Sequence, residues 1–242
     1  MPDLRPEDTT VNVAANLAHA RQRIAAACAR AGRDPAGVRI AAVSKTHPAD
    51  AVTAAAAAGA DAIGENRVQE AAAKRPLVGP GTPWHLVGPL QRNKARLALE
   101  IFDLIESVDR PDLADRLETL LAAGQPGRVL PVFLEINVSG EASKSGVPPA
   151  GAPALAEHLS LHCPHLRLSG LMTVPPWDPD PERSRPHFAA LRTLAAELAA
   201  RLGVAGFDLS MGMSEDFEVA VEEGATWVRL GRALFGERRA AP

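Results

Sequence analysis

Eight strand–helix alternations within 242 residues predict a closed parallel barrel, an α/β fold of the TIM (β/α)8 type with one extra N-terminal helix. Three observations lead there. Short apolar runs, such as those ending at Lys45 and Met172, have strand length and no polar stripe, so they read as strands buried on both faces. Each is followed by an alanine- or leucine-rich helical stretch, and several of these stop at glycine, as at Gly59, Gly203 and Gly224. A parallel neighbour is reached only through a crossover, and eight such units close a barrel. An open doubly wound sheet is the alternative. No linker or composition shift divides the chain, so residues 1–242 are expected to form one domain.

The elements follow in order. Residues 11–32 form the extra amphipathic helix, with Thr10 as N-cap, Val13, Leu17 and Ile24 on its apolar side and Gly32 at its end. It is placed to plug the lower end of the barrel. The first strand runs to Lys45, and Pro48 opens the helix 48–58, where its missing N–H costs nothing. The second strand, 60–64, delivers Glu65, Asn66 and Arg67 to the helix 67–75. Strands at 83–88 and 103–108 alternate with helices at 90–99 and 111–122. The fifth strand, 129–138, is expected to be the longest, and the Gly-, Ser- and Pro-bearing segment 139–149 a mobile loop. A helix at 151–162, a strand at 166–172, a proline-rich loop at 174–181 and a helix at 183–202 follow. The last elements are a strand at 207–210, a helix at 214–223 capped by Ser214, a strand at 226–230 and a helix at 232–239.

Composition narrows the function classes. Net charge is −3, and 26 basic residues are dispersed among 29 acids, so no basic stripe offers itself to nucleic acid. No run of eighteen apolar residues exists and the first ten residues are polar, so neither a membrane span nor an ordinary signal peptide is expected, and the chain is placed in the cytoplasm. Cys28 and Cys163 stand far apart without a CxxC pair and read as reduced thiols.

Lys45 is the first candidate for chemistry. Four lysines stand against 22 arginines, and this one ends a strand, where α/β folds place their sites. Arginine cannot lose its proton and attack a carbonyl, whereas a desolvated lysine can; a strand-end lysine that only reaches for solvent is the plainer reading. The loops after strands seven and eight commonly bind phosphate in such barrels. Here they read Ser210-Met211-Gly212-Met213-Ser214 and Arg229-Leu230-Gly231-Arg232, with Ser210 the better phosphate ligand and Ser214 rather a helix cap. Alternation puts Trp227, Arg229 and Gly231 on one face of strand eight, so Arg229 points into the barrel mouth. A pairing of Arg229 with Glu65 across the barrel is the structural alternative to a ligand role. An amine and a phosphate cradle suggest a phosphorylated carbonyl compound. Pyridoxal 5′-phosphate (PLP) is one answer and the substrate of a Schiff-base sugar-phosphate aldolase another. An arginine at a pyridine nitrogen accepts no proton, which keeps the ring a weak electron sink, suited to limited chemistry or carriage.

Eight ordered motifs then carry a resemblance: Ala42-Val43-Ser44-Lys45-Thr46, Gly64-Glu65-Asn66-Arg67-Val68-Gln69-Glu70, Trp84-His85-Leu86-Val87-Gly88, Asn137-Val138-Ser139-Gly140-Glu141, Ser143-Lys144-Ser145-Gly146, Gly170-Leu171-Met172-Thr173, Leu209-Ser210-Met211-Gly212-Met213-Ser214 and Val228-Arg229-Leu230-Gly231. Together they resemble the pyridoxal phosphate homeostasis protein family, which looks like the N-terminal barrel of alanine racemase standing alone. The resemblance covers residues 11 to 239. It implies that Lys45 is the Schiff-base lysine and that Arg229 faces the pyridine nitrogen. It further implies that Ser210 and the backbone of Gly231 and Arg232 hold the phosphate, and that Asn66, His85 and Met211 line the cofactor. The implied role is to buffer PLP or deliver it to PLP-dependent apoenzymes, within vitamin B6 homeostasis. His47 stands where relatives often carry a second lysine, Pro89 where histidine is common and Arg232 where a small hydroxylated residue is usual. The first departure puts transfer of PLP between neighbouring lysines in doubt.

A slow amino-acid racemase is the rival. The two-domain alanine racemases use the lysine and a tyrosine from the partner's C-terminal domain, and this sequence contains no tyrosine; His85 or Cys163 would have to serve as the second base. Without that domain's dimer surface a monomer is expected. The run His158, His162, Cys163, His165 has metal-ligand character but lies away from the strands' carboxyl ends, so no metal is expected. Lys144 is a candidate second anchor or lid, and Trp177, among prolines, a candidate lid or partner contact.

Overall fold

Short parallel strands that cannot pair through hairpins pair through crossover helices instead. The computed structural model describes residues 11–141 and 143–237. Its strands are β1 (Arg39–Val43), β2 (Ala62–Glu65), β3 (Trp84–Leu86), β4 (Leu104–Val108), β5 (Leu130–Glu135), β6 (Leu166–Met172), β7 (Asp208–Ser210) and β8 (Trp227–Leu230). They pair in chain order, and β8 returns to β1, closing the barrel. The helices are α1 (Val13–Ala31), α2 (Ala49–Ala57), α3 (Val68–Lys74), α4 (Ala95–Ile101), α5 (Pro111–Gly124), α6 (Ala152–His162), α7 (Arg185–Leu202), α8 (Phe217–Glu222) and α9 (Arg232–Phe235).

Alternation along each strand sorts side chains into two apolar layers. The inward layer is Ala41, Ala62, Leu104, Phe133, Met172 and Trp227. Small alanines on β1 and β2 leave room for the two large rings, as a barrel interior of fixed width requires. The outward layer, which includes Ile40, Ile63, Trp84, Leu86, Ile105, Val228 and Leu230, packs under the helices. Above the inward apolar layer the inward positions turn polar, with His85, Glu106, Glu135, Ser210 and Arg229 all buried. That switch places the chemistry at the strands' carboxyl end.

Several boundaries differ from the sequence expectation. The first strand stops at Val43, and Lys45 lies two residues beyond it in a turn closed by the His47 N–H on the Ser44 carbonyl (3.0 Å). The strand β5 ends at Glu135, and β6, with seven residues, is the longest. The cause is Asn137. Its N–H donates to Val147 O (3.0 Å), its Oδ1 accepts from Gly140 N (3.0 Å) and its Nδ2 donates to Glu141 O (2.9 Å), so the chain folds into a hydrogen-bonded turn. Helix α4 is preceded by a separate tight turn at Arg92–Lys94. Helix α8 begins at Phe217 with Asp216 before it, and Ser214 is not its cap.

The first helix does not plug the barrel. Its stripe of Val13, Leu17, Ala20, Ile24, Ala27 and Cys28 packs sideways on α8, α9 and α2, and Arg23 and Arg30 pair with Glu218 and Glu222 on α8 (both 2.6 Å). Asn12 caps it, Oδ1 accepting from Ala15 N (3.0 Å), and the expected cap Thr10 lies outside the described residues; the helix expected at 232–239 stops at Phe235, where Gly236 takes φ +75°.

Candidate functional site

The carboxyl ends of six strands, β1, β2, β3, β6, β7 and β8, build the site. Beyond β1, Lys45 lines a cavity of about 250 Å³ together with Val43, Asn66, Val87, Arg229 and Gly231. Met213, Ser214 and Glu215 come to it from the loop after β7, Arg232 from the end of β8, and Val174 and Trp177 from the loop after β6. Trp177 is 73% exposed and stands at the rim. Asn66 is fixed by Gly88, on which its backbone packs; a Cβ at residue 88 would lie 2.6 Å from Asn66 O.

Beneath the cavity a chain of hydrogen bonds runs through the barrel. His85 Nδ1 lies 2.8 Å from Glu106 Oε1, Ser210 Oγ donates to Glu106 Oε2 (2.5 Å), and Arg229 Nη1 donates to Ser210 Oγ (2.7 Å). The second guanidinium arm donates to Thr173 O (2.7 Å). Burial alone would raise Glu106, but the hydrogen bond from His85, the Arg229 charge and the Ser210 hydroxyl outweigh it and hold the carboxyl below its ordinary value. Burial lowers Arg229, opposed by Glu106, Asp216 and Glu135. The pair is therefore a buried cation balanced by a buried anion, and the planar guanidinium is held at two points. Glu135 differs. Burial, with Asp109 adding to it and Arg229 opposing, pushes its carboxyl up to about 7, and its Oε2 has no hydrogen-bond partner among the described residues.

A second network grips the backbone around Lys45 from outside the barrel. Ser44 and Glu65 point outward, towards α3. Lys74 Nζ donates to Ser44 O (2.8 Å), Glu65 Oε1 (2.7 Å) and Glu70 Oε1 (2.7 Å), using all three of its protons. Ser44 Oγ also donates to Glu65 Oε1 (2.6 Å), and Glu70 Oε1 accepts the Thr46 N–H (2.5 Å). Thr46 has φ +68°, the one positive value among the described non-glycine residues. A β-branched residue in that region stores about 1–3 kcal/mol of strain, which persists only where neighbours hold it. Residues on both sides of Lys45 are thus clamped by one ammonium and one carboxylate.

In the loop after β7, Ser214 Oγ accepts the Ala233 N–H at the start of α9 (3.1 Å), and Met213 N donates to Asp216 Oδ1 (2.7 Å). Gly212 makes this turn possible, with φ +90° and a Cβ position 2.5 Å from Ala220 Cβ. The Arg232 side chain turns away to Glu215 (2.7 Å).

Of the residues singled out in the sequence, Lys45, Asn66, Arg229, Gly231 and Arg232 meet at one cavity. Three others do not line it. Ser210 points inward, but its hydroxyl is fully buried between Glu106 and Arg229, and Ser214 lines the cavity instead. Met211, one residue on, alternates outward into the layer under the helices, and Met213 lines the cavity. His85 faces the barrel interior against Glu106 and the edge of Trp227 (4.6 Å between centroids). The Arg229–Glu65 pairing does not form, because Glu65 points out to Lys74. His47 stacks on Phe235 (4.9 Å), and Lys144 Nζ donates to Val174 O (3.1 Å), tying the loop after β5 to the loop after β6. Lys74 was missed by sequence reasoning; its i,i+4 spacing from Glu70 was the available signal.

Comparison with known proteins matches this geometry to a family. A model of the alanine racemase N-terminal domain matches residues 15–239. The pyridoxal phosphate homeostasis protein of Pseudomonas aeruginosa is 50% identical over 229 residues, 93% of this chain and 96% of its own. The chain belongs to the pyridoxal phosphate homeostasis protein family. The family's member in Aquifex aeolicus is 42% identical, over 95% of this chain and all of its own. PipY of Synechococcus elongatus, solved with PLP bound, superposes with a TM-score of 0.79 at 41% identity, covering 93% of this chain and 100% of that one. The barrel, its closure and its helical jacket are those of this family.

Proposed function

We propose that this chain holds PLP through Lys45 and serves PLP homeostasis, buffering the cofactor or delivering it to PLP-dependent apoenzymes as a cytoplasmic monomer. The observation that carries the reading is the convergence of Lys45, Asn66, Arg229 and Gly231 on one cavity at the strands' carboxyl end, in a chain whose relatives bear that name. The donor set suits the group: an amine, a guanidinium, two valines, and a serine and a glycine before the last helix line one cavity. Bound PLP supplies an aldehyde to a lysine amine and a phosphate for anchorage.

The chain's own residues do the rest. Lys74 and Glu70 hold the backbone that aims Lys45. Ser210, Thr173 and Glu106 keep Arg229 fixed and charged, so it donates a hydrogen bond and takes no proton from a ring nitrogen. In this reading Ser214 and the backbone of Gly231 and Arg232 would take the phosphate, and Asn66, on the same cavity, would orient the ring. Carriage is favoured over racemisation because the second-base candidates are elsewhere. His85 is committed to Glu106 below the cavity, and Cys163 sits before β6, at the opposite end of the strands.

Borohydride reduction with PLP followed by peptide mapping tests the anchor. The label is expected on Lys45, and a label spread over Lys74, Lys94 and Lys144 contradicts it. Loaded protein is expected to reactivate a PLP-dependent apoenzyme faster than the same concentration of free PLP; equal rates would remove delivery and leave buffering.

A further inference from the structure

We propose that Asp115, His158 and Cys163 form a binding site for a zinc-class divalent cation between α5 and α6, on the outside of the barrel. The site is independent of the PLP reading. His158 lies on α6 one turn from its end, and Cys163 follows the last residue of that helix, its N–H on Leu159 O (3.1 Å). The neighbouring helix contributes Asp115, whose Oδ1 is 2.7 Å from His158 Nε2. The nitrogen, the sulfur and a carboxylate oxygen all lie within 4.8 Å of one another. A tetrahedral zinc at its usual bond lengths sets its donors about 3.5 Å apart, so closing on an ion needs a movement of about 1 Å.

The donor chemistry selects the cation. Imidazole, thiolate and carboxylate together suit zinc and cobalt, whereas magnesium and calcium take oxygen. The charge balance follows: the Cys163 thiol releases its proton to solvent, the thiolate binds the metal, and thiolate with Asp115 neutralises the divalent charge. Burial, with Glu118 and Asp115 adding to it, pushes the Cys163 thiol up to about 11, so its proton leaves only as the cation binds. His165 is excluded, because Nδ1 is on Glu118 (2.6 Å) and Nε2 on Pro126 O (3.2 Å). Asp115 is exposed, so the fourth position opens to water.

The test titrates cobalt chloride into the full chain without added cofactor. One equivalent is expected to bind with tetrahedral visible bands and a near-ultraviolet thiolate-to-cobalt band. Cys163→Ser is expected to abolish the thiolate band, and Cys163→Ser, His158→Gln and Asp115→Asn each to weaken binding by more than about 10-fold, the lower end of what even an outer contact to a metal ligand costs. Cys28→Ser, in the other buried cysteine, is expected to change nothing. No thiolate band in the unsubstituted chain, or unchanged affinity in His158→Gln and Asp115→Asn, overturns the proposal. Asp115, exposed on α5, keeps the test valid if Cys163→Ser fails to fold.

Discussion

Lys74 Nζ lies 2.8 Å from the carbonyl oxygen of Ser44, the residue before Lys45. The same ammonium holds Glu70, which in turn holds the N–H of Thr46, the residue after it. Lys45 is therefore carried on a strained turn fixed at both shoulders. Lys74→Met removes one partner of a buried ion pair and is expected to cost about 3–5 kcal/mol of unfolding free energy. Urea midpoints check this. Lys74→Met with Glu65→Leu should recover part of the loss, and the single variant should release bound PLP faster than the parent.

Glu135 sets a pH dependence. Its carboxyl stands at about 7 in the fold, above its ordinary 4.5, so the folded state binds the extra proton between those values. Stability from this group is present below pH 4.5 and is lost as pH rises through about 7. Glu135→Gln is then expected to stabilise the chain at pH 8 by about 3 kcal/mol, and to change little at pH 4. Denaturant midpoints at the two pH values decide it.

Glu106 carries the opposite sign. Its carboxyl is held below 4.5, so its stabilisation is present above that value and is lost as pH falls through the lower folded value. Glu106→Gln should flatten the acid limb of the stability curve. It should also weaken PLP binding, because Arg229 loses the charge that balances it; an unchanged acid limb would count against a charged Glu106.

Trp177 stands at the cavity rim, whereas Trp84 is buried under the helices and Trp227 inside the barrel. Bound PLP should quench the fluorescence of Trp177. Trp177→Phe should lose most of that change while keeping PLP affinity within a few-fold.

The barrel was legible because its signal repeats: eight apolar runs, each followed by a helical stretch, leave few topologies. Lys45 and Arg229 were legible for a local reason, since a lone lysine at a strand end and the alternation of β8 can be read in single segments. The same alternation excludes the Glu65–Arg229 pairing and sends Met211 outward, once the inward register of β2 and β7 is fixed by Ala62 and Ser210. What stayed hidden depends on neighbours distant in sequence. Ser210 is consumed by Glu106, 104 residues away, and α1 lies sideways because Glu218 and Glu222 on α8 face its arginines. The turn at Asn137 comes from side-chain hydrogen bonds that compete with the β5 ladder, which strand propensity does not encode.

The most direct test of a cofactor held without turnover is the visible spectrum of the PLP-loaded chain before and after adding L-alanine. A yellow band that depends on Lys45 and barely responds to alanine is the predicted result. A band that shifts and decays, with D-alanine accumulating, would contradict carriage, and no band after adding PLP would contradict the site itself.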